Sequence, residues 1–147
     1  MSIKIEELLL QECLILEVPT GFSMWPMLKN KTDQIVISSI SAPLKIHDVI
    51  LYKRTNGQYV LHRIIKINKK GYVIRGDNCI NSEYDISDEQ IFGILQGFYK
   101  RDRYIDCENS FLYKFYVLFW RLTFVPRVGI MQVLKLKNYI KNRNIKK

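Results

Sequence analysis

The sequence has few of the residues that build metal sites or disulfide frameworks. Its 147 residues include three cysteines and two histidines. The cysteines (Cys13, Cys79 and Cys107) are widely spaced, and no two of them form a Cys-x-x-Cys pair. This spacing argues against a disulfide framework and against a zinc site. We therefore expect single thiols in a reducing compartment, with no metal and no cofactor.

Long hydrophobic runs are also missing. The longest, Phe-Tyr-Val-Leu-Phe-Trp at 115–120, is far shorter than the roughly 18 apolar residues that a membrane-spanning helix requires. The apolar N-terminal stretch contains Glu6, Glu7 and Glu12, which is not typical of a signal peptide or a membrane anchor. The sequence therefore predicts neither a leader nor a spanning segment.

Acidic residues are absent from the C-terminal quarter of the chain. Residues 1–98 contain 11 basic and 11 acidic residues, and residues 99–108 contain three of each, so both stretches are neutral. Residues 109–147 contain nine basic residues and no acidic one, which accounts for the whole formal charge of +9. We expect a domain at 1–108 and a basic amphipathic tail at 109–147. The tail could pack on the domain, lie on an anionic membrane surface or bind nucleic acid electrostatically.

Apolar patterning predicts a mainly β domain with a short N-terminal helix and C-terminal helices. Strands are expected at 14–18, 34–39, 48–54, 58–67, 72–75, 91–99 and 103–106. Asn56-Gly57 predicts a hairpin turn in which both central residues have positive φ. From Ser110 onward apolar residues recur at helical spacing, and Pro126 is expected to separate that helix from a second one at about 128–142.

Two polar residues in this framework indicate nucleophilic catalysis. Ser23 lies in a loop bounded by glycine and proline, and His62 lies in an apolar strand. A serine hydroxyl is a weak nucleophile at neutral pH and needs a positioned base. Histidine, with an ordinary pKa near 6.5, can be that base without burial, whereas a lysine would need its pKa lowered by several units. Taken singly, each residue is more often a turn serine or a structural histidine.

Their order along the chain makes the pattern more specific. The segments are Gly-Phe-Ser-Met-Trp-Pro-Met-Leu at 21–28, Leu-His-Arg-Ile-Ile at 61–65, Arg-Gly-Asp-Asn at 75–78 and Ile-Phe-Gly-Ile-Leu at 91–95. With Lys-Ile-His-Asp-Val-Ile-Leu-Tyr at 45–52, this series resembles the serine peptidase superfamily of type I signal peptidases and LexA-like self-cleaving repressors. The resemblance covers about residues 18–98. It implies an irregular β-fold and cleavage of a peptide bond by a serine nucleophile.

The resemblance also implies roles for individual residues. Ser23 would be the nucleophile and His62 the base, because the histidine branch of the superfamily usually has a His-Arg pair, here His62-Arg63. That branch has an aspartate where this sequence has a glutamate, which leaves the acidic third member open. The candidates, in order of preference, are Asp77, Asp85 and Glu83.

The loop around Ser23 is expected to form the oxyanion hole and the substrate cleft. The backbone N–H of Ser23 is the natural donor to the developing oxyanion. Gly21 would give the loop the freedom to present that donor, while Met24 and Pro26 would shape the cleft.

These features predict a serine endopeptidase similar to signal peptidases, which cleaves a cytosolic precursor peptide or protein. The alternative is a non-catalytic peptide-binding module that keeps the fold and associates with the membrane surface. Only 22 residues precede Ser23, so we expect no helix-turn-helix domain and no sequence-specific DNA binding. The expected location is the cytoplasm, with a peripheral position on the inner face of the membrane if the tail contacts lipid.

Overall fold

The computed structural model describes residues 13–17, 21–130, 132, 133 and 137. Within these residues, eight antiparallel strands form one sheet in the order β1-β2-β7-β3-β4-β5-β6, with β8 paired to β7. The strands are β1 Cys13–Glu17, β2 Asp33–Ser38, β3 Val49–Lys53, β4 Tyr59–Asn68, β5 Gly71–Arg75, β6 Glu83–Ile86, β7 Ile91–Lys100 and β8 Arg103–Asp106. The predicted mainly β class is confirmed. The expected N-terminal helix lies outside the described residues, and β6 was not predicted.

The hairpin between β3 and β4 forms where Asn56-Gly57 predicted it, but with a different turn. Only Gly57 has a positive φ, of 84°, so the expectation for both central residues was wrong. The Gly57 N–H donates to the Arg54 carbonyl at 2.8 Å, and the Arg54 N–H donates to the Gln58 carbonyl at 2.9 Å. This is a three-residue loop with glycine in the left-handed position, a common alternative to the two-residue turn.

Strand β4 places His62 and Arg63 at the centre of the sheet. His62 pairs with Ile50 of β3, and Arg63 pairs with both Val49 of β3 and Arg75 of β5. Successive side chains on a strand point to opposite faces, so these two neighbours have different surroundings. An apolar cluster on strands β3 to β7 packs beside them; its buried members are Ile50, Tyr52, Val60, Ile64, Ile74, Ile86 and Ile91.

The C-terminal segment is helical, as the spacing of its apolar residues predicted. Helix α1 spans Phe111–Leu122, and residues 124–130 are again helical after a turn at Thr123. The interruption lies three to four residues before Pro126, whose missing N–H cannot donate to the carbonyl of the preceding turn. The second helix therefore begins earlier than 128. No helix among the described residues is long and apolar enough to cross a membrane.

The chain divides into two compact units, Met1–Lys114 and Phe115–Lys147. The division falls inside α1, whereas the sequence analysis placed the boundary at 108, before that helix begins. In the first unit, Cys79 and Cys107 are half-buried free thiols. Burial raises the pKa of both thiols, that of Cys107 to about 12, which makes each a weak nucleophile at neutral pH.

Candidate active site

Ser23 lies in a tight loop, and several of the loop's apolar side chains are buried. The N–H of Leu28 donates to the carbonyl of Met24 at 2.9 Å, which closes a helical turn just after the serine. Met24 and Leu28 are both buried, so the loop is held by packing while the Ser23 side chain stays partly accessible. Gly21 has a φ of 149°, a conformation that side-chain-bearing residues rarely adopt. The glycine is therefore needed for the chain to enter this loop.

The Arg-Gly-Asp-Asn segment holds the serine loop from the other side. The N–H of Asn78 donates to the Ser23 carbonyl at 2.7 Å, and its side-chain amide donates to the Phe22 carbonyl at 3.1 Å. A Cβ on Gly76 would lie only 2.7 Å from the Ser23 carbonyl oxygen and 2.9 Å from the Ser23 Cβ. Gly76 and Asn78 therefore fix the position of the serine, a role that the sequence analysis did not assign to them.

Ser23 and His62 open into one cavity of about 410 Å³. Gly21 and Met24 also line it, as the sequence analysis expected of residues at a cleft. The described hydrogen bonds include none between the Ser23 hydroxyl and His62. Such bonds are often long or poorly aligned before a substrate binds, so the shared cavity is the observation that links the two side chains.

His62 is 5% exposed and contacts a carboxylate with one ring nitrogen. Its Nδ1 lies 3.2 Å from Oε1 of Glu83 and 3.4 Å from the hydroxyl of Tyr52. An ionised carboxylate only accepts hydrogen bonds, so the contact with Glu83 favours the neutral tautomer whose proton is on Nδ1. Nε2 is then the acceptor, which is the tautomer that a general base for serine requires.

Glu83 is held by two further donors that the sequence analysis missed. The Tyr52 hydroxyl donates to Oε1 at 2.7 Å, while Arg54 donates from Nη2 to Oε1 at 2.6 Å and from Nε to Oε2 at 2.9 Å. Burial raises the pKa of the Glu83 carboxyl, but the hydrogen bonds from Arg54 and Tyr52 outweigh burial and hold the pKa below its ordinary range. Glu83 is therefore ionised at neutral pH.

The imidazole itself stays neutral at the same pH. Burial lowers the pKa of His62 from its ordinary value near 6.5, and the charge of Glu83 opposes this shift without cancelling it. A neutral ring beside an ionised carboxylate can accept a proton, and the resulting imidazolium is then stabilised by that carboxylate.

Asp77, the favoured candidate for orienting His62, has a different partner. Its two oxygens accept hydrogen bonds from Nε and Nη2 of Arg63 at 2.8 and 2.7 Å, and both side chains are fully buried. Nη1 of Arg63 continues to the carbonyl of His47 and to the hydroxyl of Tyr113. The expectation for Asp77 was therefore wrong: the aspartate neutralises Arg63 and braces the sheet.

Two other predicted site residues also lie away from the cavity. Asp85 is exposed, with a φ of 56°, and Glu83 rather than Asp85 contacts the imidazole. Pro26 is exposed as well, and its carbonyl accepts a hydrogen bond from Nζ of Lys100 at 3.3 Å. The carboxylate that contacts the imidazole is thus that of Glu83 and not that of Asp85, and Pro26 is not among the residues that line this cavity.

Among the described residues, no group of three or more His, Cys, Asp or Glu side chains could hold a metal ion. The cavity is lined by the Ser23 hydroxyl and the His62 imidazole, and the Glu83 carboxylate contacts that imidazole from outside the cavity lining. No protein-family model matches the chain, and no curated protein matches it either.

Proposed function

We propose that this protein is a serine hydrolase in which Ser23 is the nucleophile, His62 the general base and Glu83 the acid that orients the base. The observation that carries the proposal is the cavity shared by Ser23 and His62, with His62 Nδ1 against the carboxylate of Glu83. A hydroxyl, an imidazole and a carboxylate are the three groups of the serine, histidine and acid constellation. More narrowly, we propose a serine endopeptidase similar to signal peptidases.

The cavity wall supports a peptide as the substrate. Val60, Leu61 and His62 line the cavity and pair on one side with β3. Pairing of β4 with β5 begins only at Arg63, and no other described strand pairs with these three residues. Their second edge can therefore accept an extended peptide through backbone hydrogen bonds. A peptide bound there would run past Ser23, and the resemblance to signal peptidases and LexA-like repressors favours the same class of substrate.

The proposed reaction is acyl transfer. Nε2 of His62 takes the proton of the Ser23 hydroxyl as Oγ attacks the scissile carbonyl carbon, and Glu83 stabilises the imidazolium. The N–H of Ser23 donates to the oxyanion. The imidazolium then gives its proton to the leaving amine, and an acyl-enzyme forms at Oγ. Water, deprotonated by His62, hydrolyses the ester and regenerates Ser23.

A peripheral position on a membrane is a second proposal, based on the tail. In the unit Phe115–Lys147, the side chains of Phe115, Phe119 and Leu122 are 58%, 56% and 70% exposed. Arg121, on the same helix, is exposed too, and the tail has no acidic residue. Each basic residue near an anionic surface contributes about 1 kcal/mol of binding, and exposed aromatic side chains add apolar burial. We propose a cytoplasmic enzyme on the inner face of the membrane.

The peptidase proposal is tested with a degenerate peptide library and mass spectrometry of the products. We expect the intact protein to cleave library peptides, and Ser23→Ala or His62→Ala to lower the rate by about 10³-fold or more. Ser39→Ala is the matched control, because this exposed serine does not line the cavity. Full cleavage by the Ser23→Ala variant would remove the assignment. Peptide binding without cleavage by the intact protein would favour the non-catalytic peptide-binding module.

A further inference from the structure

Arg54 connects the β3–β4 turn to the carboxylate that contacts His62. Its backbone N–H closes the turn on the Gln58 carbonyl, and its Nη1 donates to the Gln58 side chain at 3.0 Å. The other two guanidinium nitrogens, Nη2 and Nε, donate to the two carboxylate oxygens of Glu83 at 2.6 and 2.9 Å. The arginine is thus fixed at its base by the hairpin and at its tip by the glutamate.

Glu83 needs such a support more than an aspartate would. It begins β6, a four-residue strand at the end of the sheet order, which pairs with β5 through an irregular register. A glutamate has one more rotatable bond than an aspartate, and its carboxylate lies correspondingly farther from the backbone. A planar guanidinium binds both carboxylate oxygens at once and so fixes the plane of the group as well as its position.

We propose that Arg54 is a positioning residue that holds the Glu83 carboxylate against Nδ1 of His62. The proposal rests on the proposed function, in which His62 must present Nε2 to Ser23. Arg54 also lines the cavity, and the role assigned to it acts through Glu83. Tyr52 contributes the third donor to the same carboxylate, from a fully buried position on β3. The hairpin sequence thereby sets the tautomer of the base.

The test measures the ring tautomer of His62 directly, by ¹⁵N NMR of the full-length protein at about pH 8, where the ring is neutral. The chain has only two histidines, so His47→Gln assigns the spectrum. We expect the Nδ1–H tautomer in the intact protein and its loss, in full or in part, in Arg54→Gln. Arg54→Lys should lose it too, because an ammonium lacks the two-pronged geometry. Arg103→Gln removes an exposed arginine of β8 and should change nothing.

Kinetics on a peptide selected from the library supply the second readout. We expect Arg54→Gln and Arg54→Lys to lower kcat about 10- to 100-fold, because the geometry of the base is lost while the free edge of β4 remains. In a Glu83→Gln background, Arg54→Gln should lower kcat no further, since residues that act through one another are not additive.

Retention of the Nδ1–H tautomer in both Arg54 variants would overturn the proposal, whatever their activity. Loss of the tautomer with unchanged kcat would overturn it as well. Should Arg54→Gln fail to fold, the lysine variant, which keeps the charge, decides by the same two readouts. The tautomer is measurable even if the intact protein cleaves no peptide, so failure of the proposed function and failure of the Arg54 assignment are distinguishable.

Discussion

His62 and Arg63 are neighbours on one strand, and each meets its own carboxylate, yet the two pairs differ in kind. Arg63 and Asp77 are both fully buried, and Arg63 donates two hydrogen bonds to Asp77, at 2.7 and 2.8 Å. The Glu83 side chain is 30% exposed, and its one contact with His62 is longer, with Oε1 at 3.2 Å from Nδ1. His62 also lines the cavity, whereas Arg63 does not. One pair is enclosed, and the other borders an accessible space.

Two consecutive residues therefore have different roles: Arg63 supports the fold, and His62 is the proposed base. A buried charge must be neutralised and fully hydrogen-bonded, and Asp77, His47 and Tyr113 do this for Arg63. A general base must instead keep one lone pair accessible, and the Glu83 contact at Nδ1 leaves Nε2 available. Mutations of the first pair are therefore expected to reduce stability, and mutations of the second pair to reduce activity.

The largest effect is expected from Glu83→Gln. The amide cannot hold the Nδ1–H tautomer or stabilise the imidazolium, so kcat should fall by up to about 10⁴-fold. Stability should change by about 1 kcal/mol or less, because the pair with Arg54 is partly exposed. Steady-state kinetics and urea denaturation measure the two quantities. Glu89→Gln is the control, because this exposed residue lies in a short 3-10 helix, Asp88–Gln90, that follows β6. An equal loss of activity in that variant would contradict the assignment.

Asp77→Asn should give the opposite result. It leaves the Arg63 guanidinium buried without its counter-charge, which costs about 3–5 kcal/mol of stability. The midpoint of urea unfolding should fall, while the folded fraction keeps most of its kcat. Asp85→Asn, at an exposed position, should change stability by no more than about 0.5 kcal/mol. A large loss of kcat in folded Asp77→Asn, without loss of stability, would show that the aspartate takes part in catalysis.

Gly76→Ala tests whether the Arg-Gly-Asp-Asn segment positions the nucleophile. The added methyl would sit 2.7 Å from the Ser23 carbonyl oxygen, so the loop must shift. A displacement of about 1 Å at a reacting atom lowers the rate by about 100-fold. Gly129→Ala is the control, because a Cβ there meets nothing within 4 Å. Unchanged kinetics in Gly76→Ala would show that the loop tolerates the shift.

The pH dependence follows from the lowered pKa of His62, whose main cause is burial. Activity needs the neutral ring, so kcat/KM should rise with an apparent pKa below 6.5 and be level above pH 7. Stability changes in the same direction. As the pH falls, His62 takes up a proton in the unfolded chain at a higher pH than it does in the folded protein. Its contribution to the free energy of unfolding is therefore fully present above pH 6.5 and is lost as the pH falls to the pKa of the folded state. Glu83→Gln should lower the pKa of His62 further, as NMR titration can measure; a rise would contradict the contact.

The tail is expected to have the smallest effect on catalysis. Intact protein should float with anionic vesicles more than with neutral ones and be released by salt. A Phe115→Ser, Phe119→Ser double variant should lose vesicle binding and keep its kcat on soluble peptides, because these exposed side chains do not line the cavity. Equal binding to neutral and anionic vesicles, or none to either, would remove the membrane proposal.

Much of the sheet was predictable because many of its paired strands are neighbours in the sequence. The hairpins of β3 with β4 and of β7 with β8 follow from apolar runs separated by short turns. The site depends on contacts that the spacing of residues does not encode. Glu83 reaches Arg54 across 29 positions and Tyr52 across 31, from a strand too short to show alternation. Asp77 was preferred because of its motif, although strand alternation already separates its partner Arg63 from His62.

The most direct test of the central claim is labelling with a fluorophosphonate, which reacts with a serine hydroxyl only when a neighbouring base activates it. Intact mass and peptide mapping should show one label on Ser23 of the unaltered protein. Ser23→Ala and His62→Ala should show none, and Glu83→Gln should label much more slowly, while Asp77→Asn should label at its usual rate where it is folded. An unlabelled Ser23 in the unaltered protein, or equal labelling in His62→Ala, would contradict the account.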